Sequence, residues 1–144
     1  MPTVKRQQIV PYSSAQMYEL VNKVEGYPQF VPACKRADVI SRNQDEVRAK
    51  LLFAQGAIHK SFTTCNRLQQ DKMIEIKLLD GPFKHLEGFW LFEAQADKQC
   101  RIVFDLEFEF ASRLLSFMFE PFFHQITNRL VDVFTKRAAE VYGL

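Results

Sequence analysis

The stretch Ser112–Tyr142 reads SRLLSFMFEPFFHQITNRLVDVFTKRAAEVY. Leu115, Phe119, Phe122, Ile126, Leu130, Val133, Phe134 and Val141 recur in it by threes and fours, the helical period. Glu120, Arg129, Asp132, Lys136 and Glu140 fall on the opposite side. One helix over this stretch would span about 45 Å at 1.5 Å per residue. Its apolar stripe needs a large surface to cover it. Pro121 is costly inside a helix. Either one continuous helix bends near Phe117, the preferred reading, or a short turn ends at Glu120 and the main helix begins with Pro121 in its first turn.

The covering surface lies immediately upstream. Cys100, Ile102, Phe104, Leu106, Phe108 and Phe110 alternate with Arg101, Val103, Asp105, Glu107 and Glu109, the pattern of a strand with one wet and one buried face. The same period of two runs through Ala37–Ser41, through Val47, Ala49, Leu51 and Phe53, and through Ile58, Phe62 and Thr64. It continues in Ile74, Ile76 and Leu78, and in Leu86, Gly88, Trp90, Phe92 and Ala94. Asn43-Gln44-Asp45, Gln55-Gly56, Gln69-Gln70-Asp71 and Asp80-Gly81-Pro82 supply the turns.

At the start of the chain Thr3–Val10 reads as a strand. Ser13 and Gln16 have the spacing of a capping box, and Met17, Leu20, Val21 and Val24 form the apolar side of the helix that follows. Gly26 and Pro28 end that helix. Tyr27-Pro28-Gln29-Phe30-Val31-Pro32 carries too much apolar surface for a solvent loop, and it reads as a lid over the interior. The expected layout is α+β, with residues 1–144 in one domain: a curved antiparallel sheet of about seven strands around a long C-terminal helix.

Bulk properties narrow the function classes. The chain has 144 residues, 47% of them hydrophobic, with 14 Phe against one Trp. Net charge is +2, but residues 1–72 hold 11 basic and 6 acidic side chains (+5), and residues 73–144 hold 8 and 11 (−3). Cys34, Cys65 and Cys100 are odd in number and widely spaced, which fits a reducing compartment better than a disulfide scaffold. Neither a signal peptide nor a membrane-spanning run is legible, so a cytoplasmic protein with at most peripheral contact to the inner membrane is expected.

Catalytic constellations are missing from the pattern. His59, His85 and His124 are not spaced as metal ligands, and there is no nucleophile elbow or phosphate-cradling glycine loop. Asp105, Glu107 and Glu109 fall on the wet face of one strand, which reads as a solvated row. A non-enzyme is expected, with no metal and no required cofactor.

Several strings, taken in order, resemble the START-like, helix-grip proteins of the coenzyme Q-binding and ribosome association toxin (RatA) family. They are Val10-Pro11-Tyr12-Ser13, Met17-Tyr18, Leu20-Val21, and Val24 followed by Tyr27-Pro28-x-Phe30-Val31-Pro32. Asp80-Gly81-Pro82-Phe83, Leu86-x-Gly88-x-Trp90-x-Phe92, Phe108-Glu109-Phe110 and Phe134-x-x-Arg137-Ala138 complete the set. The resemblance spans the chain nearly end to end and lies closer to the bacterial RatA branch than to the mitochondrial proteins. It implies a helix-grip fold and one of two activities. One is a carrier or chaperone of ubiquinone that supports respiration. The other is a toxin that binds the large ribosomal subunit and blocks subunit joining.

Two surfaces answer to those activities. Phe53, Phe62, Leu78, Trp90, Phe104 and Phe108 of the sheet should meet Phe119, Phe122, Phe123, Ile126 and Leu130 of the helix, with Phe30 and Val31 closing one end. The cavity between them would suit ubiquinone or another lipid, with the Trp90 indole at the headgroup. The first half of the helix should wall this cavity and the second half clamp the sheet. Outside, Lys35, Arg36, Arg42, Arg48 and Lys50 are the candidate contacts for ribosomal RNA or an anionic membrane. The expected partners are thus a hydrophobic small molecule, the large ribosomal subunit and a membrane surface, and DNA is not among them.

Overall fold

The computed structural model describes residues 2–143; Met1 and Leu144, the two ends of the expected domain, lie outside the described residues. Seven strands form one antiparallel sheet: β1 Thr3–Val10, β2 Cys34–Arg42, β3 Glu46–Gln55, β4 Ile58–Gln69, β5 Met73–Asp80, β6 Phe83–Ala94 and β7 Cys100–Phe110. Their order is β1-β7-β6-β5-β4-β3-β2, so the first strand closes against the last while the others follow as a meander. β7 is central to this closure, and its side chains alternate between buried and half-buried along its whole length. Inward are Cys100, Ile102, Phe104, Leu106, Phe108 and Phe110, as the period of two requires.

Gly88 sits on β6 where the β7 backbone leaves no room for a side chain. A Cβ on it would lie 2.1 Å from the Asp105 carbonyl oxygen and 2.9 Å from Leu106 Cα, so only glycine fits. Further along, β5 and β6 pair only from Met73–Leu91 to Lys77–Glu87 and then part. Past that point the turn at Gly81 folds in over Phe62.

The inner face is covered from both ends of the chain. α1 (Ser14–Asn22) starts at a full capping box: the Gln16 amide donates to Ser13 Oγ at 3.1 Å, and the Ser13 amide donates to Gln16 Oε1 at 2.9 Å. It buries Met17, Tyr18, Leu20 and Val21. A 3-10 turn over Val24–Gln29 then packs Tyr27 inward, edge-on to Phe134 at 5.4 Å between ring centroids.

The C-terminal stretch departs from expectation. It is two helices, α2 (Arg113–Asn128) and α3 (Leu130–Tyr142), parted at Arg129, with Pro121 carried inside α2. The interruption is therefore eight residues beyond the proline. Its causes are local and tertiary. The Thr127 hydroxyl donates to the carbonyls of Phe123 (3.0 Å) and His124 (3.3 Å), a back-bonding that bends helices. The Arg129 amide turns to the Ile126 carbonyl at 3.1 Å, tightening the last turn. Arg6 of β1 then donates to the freed Asn128 carbonyl at 3.1 Å.

Candidate functional site: an apolar chamber under two helices

A chamber of about 80 Å³ lies between the inner face of the sheet and the junction of α2 with α3. Every layer contributes a wall. Val21 and Val24 come from the α1 region, Tyr27 and Val31 from the segment after it, and Leu51, Phe53, Phe62, Ile74 and Ile76 from β3, β4 and β5. Leu86, Trp90, Phe104 and Leu106 come from β6 and β7, and Phe123, Ile126, Thr127, Leu130 and Phe134 from the helices. Trp90 is fixed between rings: it stacks on Phe104 at 4.3 Å and meets the edge of Phe134 at 5.2 Å.

Thr64 and Asn66, also on β4, make one side of the chamber polar, and the Thr64 hydroxyl donates to Asn66 Oδ1 at 3.0 Å. Two further polar groups are engaged within the fold. The Thr127 hydroxyl is held by its own helix, and the Tyr27 hydroxyl donates to the Val21 carbonyl. Burial pushes the Tyr27 phenol well above its ordinary range, so it stays protonated near neutral pH. Burial likewise pushes the neighbouring Cys34 thiol up to about 11. The polar lining of the chamber thus contains no group that takes up or releases a proton near pH 7.

Of the thirteen interior residues expected from sequence, the structure brings eight to this chamber: Val31, Phe53, Phe62, Trp90, Phe104, Phe123, Ile126 and Leu130. Five are elsewhere. Phe30 packs outside it, between Phe134 (5.3 Å) and the Arg137 guanidinium (5.0 Å). Leu78 is half-buried on the inner face, in register with Thr64 and packed against the core, but it stands beyond the chamber, past the point where β5 parts from β6. Phe108 is fully buried and walled off by Phe123, whose ring lies 4.9 Å away. Phe119 and Phe122 line a separate cavity of about 20 Å³, with Phe53, Phe62, Phe83 and Phe123 on its other sides.

The expected division of the helix is corrected accordingly. Its middle, from Phe123 to Phe134, walls the main chamber, and Pro121 lies outside it. The first turns instead expose Leu114, Phe117 and Met118 on one side of α2.

The outer basic residues are mostly paired with acids. Arg36 meets Asp38 at 2.7 Å, Arg42 meets Glu25 at 2.6 Å, and Arg48 meets Glu46 at 3.5 Å. Lys35 and Lys50 are exposed, and among the described residues neither forms an ion pair.

A seven-stranded antiparallel sheet curved around C-terminal helices, with an apolar chamber between them, defines a START-like, helix-grip protein. The chain belongs to the family of polyketide cyclase / dehydrase and lipid transport proteins, whose model matches residues 10–135, and within it to the RatA group. It is 41% identical to the ribosome association toxin RatA of Escherichia coli K12 over 99% of this chain and 90% of that one. Identity to RatA of Vibrio cholerae is 38%, covering 99% of both. A mitochondrial coenzyme Q-binding protein homolog B of Xenopus laevis is 30% identical over 94% of this chain and 57% of its own length. Among solved structures, an 18 kDa protein of Caulobacter crescentus superposes over the full length of both chains, with a TM-score of 0.76 and 30% identity. The Zhui aromatase/cyclase of Streptomyces shares the fold, with a TM-score of 0.81 at 15% identity.

Proposed function

We propose that this protein binds a hydrophobic small molecule, an isoprenoid quinone or related lipid, in the chamber beneath α2 and α3, and acts as its carrier rather than as an enzyme. The observation that carries the reading is the chamber itself, with apolar walls and a single polar side at Thr64 and Asn66. That arrangement suits a ligand with an apolar body and a carbonyl-bearing head. Each methylene buried contributes about 0.8 kcal/mol. The name of the coenzyme Q-binding relative supports the same ligand class.

At about 80 Å³ the chamber is smaller than the ~300–1,000 Å³ of ordinary ligand pockets. Ligand entry therefore requires the helices to move off the sheet, and Arg129 is the point at which they are already parted. Leu114, Phe117 and Met118 on α2 supply the apolar surface that would meet a lipid phase during loading. No helix among the described residues is long and apolar enough to cross a membrane, so contact of this kind is peripheral.

The test is organic extraction and mass spectrometry of protein purified from its own host, followed by titration with a short-chain ubiquinone. A bound quinone or lipid, and saturable binding, are expected. Empty extracts together with no binding on titration would sink the proposal.

Ribosome association is the second reading, favoured by the RatA names of relatives at 38–41% identity. Of the five candidate basic residues, Lys35 and Lys50 are the two that form no ion pair among the described residues and would meet RNA phosphates, because Arg36, Arg42 and Arg48 are paired. Sedimentation with large ribosomal subunits at low and moderate salt tests it. Binding that weakens steeply with salt supports it, and protein that stays at the top of both gradients refutes it.

A further inference from the structure

The outer face of the sheet, remote from the chamber, carries a groove of about 940 Å³ bounded by strands β3 to β7. Two glutamates stand directly opposite each other at its edge, since Glu87 of β6 is in register with Glu107 of β7. Like charges paired across strands destabilise a sheet unless something neutralises them. The adjacent carboxylate is neutralised: Lys84 Nζ lies 3.4 Å from Glu109. That lysine reaches outward because the β6–β7 register shifts between Phe83 and His85. With Phe83 and Leu86 both buried on the inner side, the irregularity leaves Lys84 and His85 together on the outer face.

His85 is the second anomaly. Its side chain is 33% exposed, but the Nε2 atom itself is out of solvent and has no hydrogen-bond partner. Leaving such a nitrogen unsatisfied is costly. Nε2 points toward Glu107 Oε2 at 3.7 Å, too far for a hydrogen bond. The other charges around the pair do not resolve it. Lys77 is in register with Glu87, and Lys5 with Asp105, yet among the described residues neither lysine forms an ion pair with Glu87 or Glu107.

We propose that His85, Glu87 and Glu107 form a site for a divalent transition-metal ion, with zinc as the best fit. One ligand atom from each of the three lies within 4.8 Å of the others, so small side-chain movements would bring them onto one ion. An imidazole nitrogen and two carboxylate oxygens are a donor set that zinc accepts, with water completing the coordination. The ion would partner the orphan nitrogen and neutralise the opposed glutamates at once. It would also clip β6 to β7 at the point where β5 parts from β6.

The test is calorimetric titration of Zn²⁺ alone into full-length, chelator-stripped protein, with thermal unfolding measured alongside. One ion per chain and a higher Tm with Zn²⁺ are expected. His85→Ala and Glu107→Gln should each weaken binding at least about tenfold and abolish the Tm rise. His59→Ala, His124→Ala and Cys65→Ser should change neither; Cys65 is included because its thiol lies beside Glu46 elsewhere in the groove. The altered ligands are on the outer face, and far-ultraviolet circular dichroism verifies that each variant is folded. Undiminished affinity in His85→Ala, dependence on a control residue, or no saturable binding would each overturn the assignment.

Discussion

Arg6 Nη1 donates to the main-chain carbonyl of Asn128 at 3.1 Å, joining the first strand to the last residue of α2. The same guanidinium reaches the Asn128 side chain at 3.4 Å and Asp132 of α3 at 3.5 Å. One β1 side chain thus serves both helices across the break at Arg129. A cation at a helix C-terminus is favourable, and here it also takes a carbonyl that has lost its place in the helix ladder.

Arg6→Ala is therefore expected to cost about 1 kcal/mol, a modest figure because the guanidinium is partly exposed. Urea unfolding measures the loss, and a fall in Tm of roughly 2–4 °C should accompany it. A variant as stable as the parent would show that the helix junction holds without β1.

The chamber offers a sharper test. Ile126 faces it and is only 6% exposed. Ile126→Phe should fill the space, cost ~1–3 kcal/mol through overpacking, and weaken short-chain ubiquinone binding at least about tenfold. Phe122→Ala, which opens the smaller cavity instead, should leave affinity close to that of the parent. Trp90 lines the chamber and is the chain's single tryptophan, so its fluorescence reports both titrations. Equal affinities in the two variants would mean that the ligand sits elsewhere.

How far this arrangement could be read from sequence varies by element. β7 is legible because strict alternation marks it, β1 because Pro11 ends a strand-like run, and Ser13 with Gln16 announces α1. The break at Arg129 was not legible. Pro121 is the residue that ought to interrupt the helix, yet the break arises from Thr127 back-bonding and from Arg6, which is 122 residues away in sequence. Apolar residues around Pro121 also occupy too much of the helix circumference to say which of them face the interior. Phe119 and Phe122 were placed in the chamber for that reason. The polar side was within reach, since Thr64 and Asn66 share the parity of Phe62 on one strand. The loss of β5–β6 pairing after Lys77, which leaves Leu78 on the inner face but beyond the chamber, leaves no mark in the alternation.

Acid should loosen the turn that carries Tyr27. Glu25, in the turn carrying Tyr27, accepts hydrogen bonds from Arg42 of β2 at 2.6 and 3.2 Å. The Arg42 hydrogen bonds hold its carboxyl below the ordinary value near 4.5, against a smaller opposing push from burial. A depressed folded-state pKa means that this stabilisation is present above pH 4.5 and lost as pH falls through the lower, folded value. Both side chains are about 40% exposed, so the contribution is roughly 0.5 kcal/mol. Glu25→Gln should be slightly less stable than the parent at pH 7 and converge with it toward pH 3. Parallel Tm curves across that range would contradict the assignment.

Gly88 gives the prediction on which the sheet geometry depends most directly. A methyl group there would have to displace the Asp105 carbonyl from 2.1 Å, and Leu106 Cα lies just behind. Backbone cannot yield as a flexible side chain can, so Gly88→Ala should cost about 3 kcal/mol. The strain falls two residues from Trp90, which is in register with Phe104 and stacked on it. Loss of stability in urea should therefore appear together with altered tryptophan emission in the folded state. A stable variant with unchanged emission would mean that β6 and β7 can separate at Gly88 without disturbing the Trp90–Phe104 wall of the chamber.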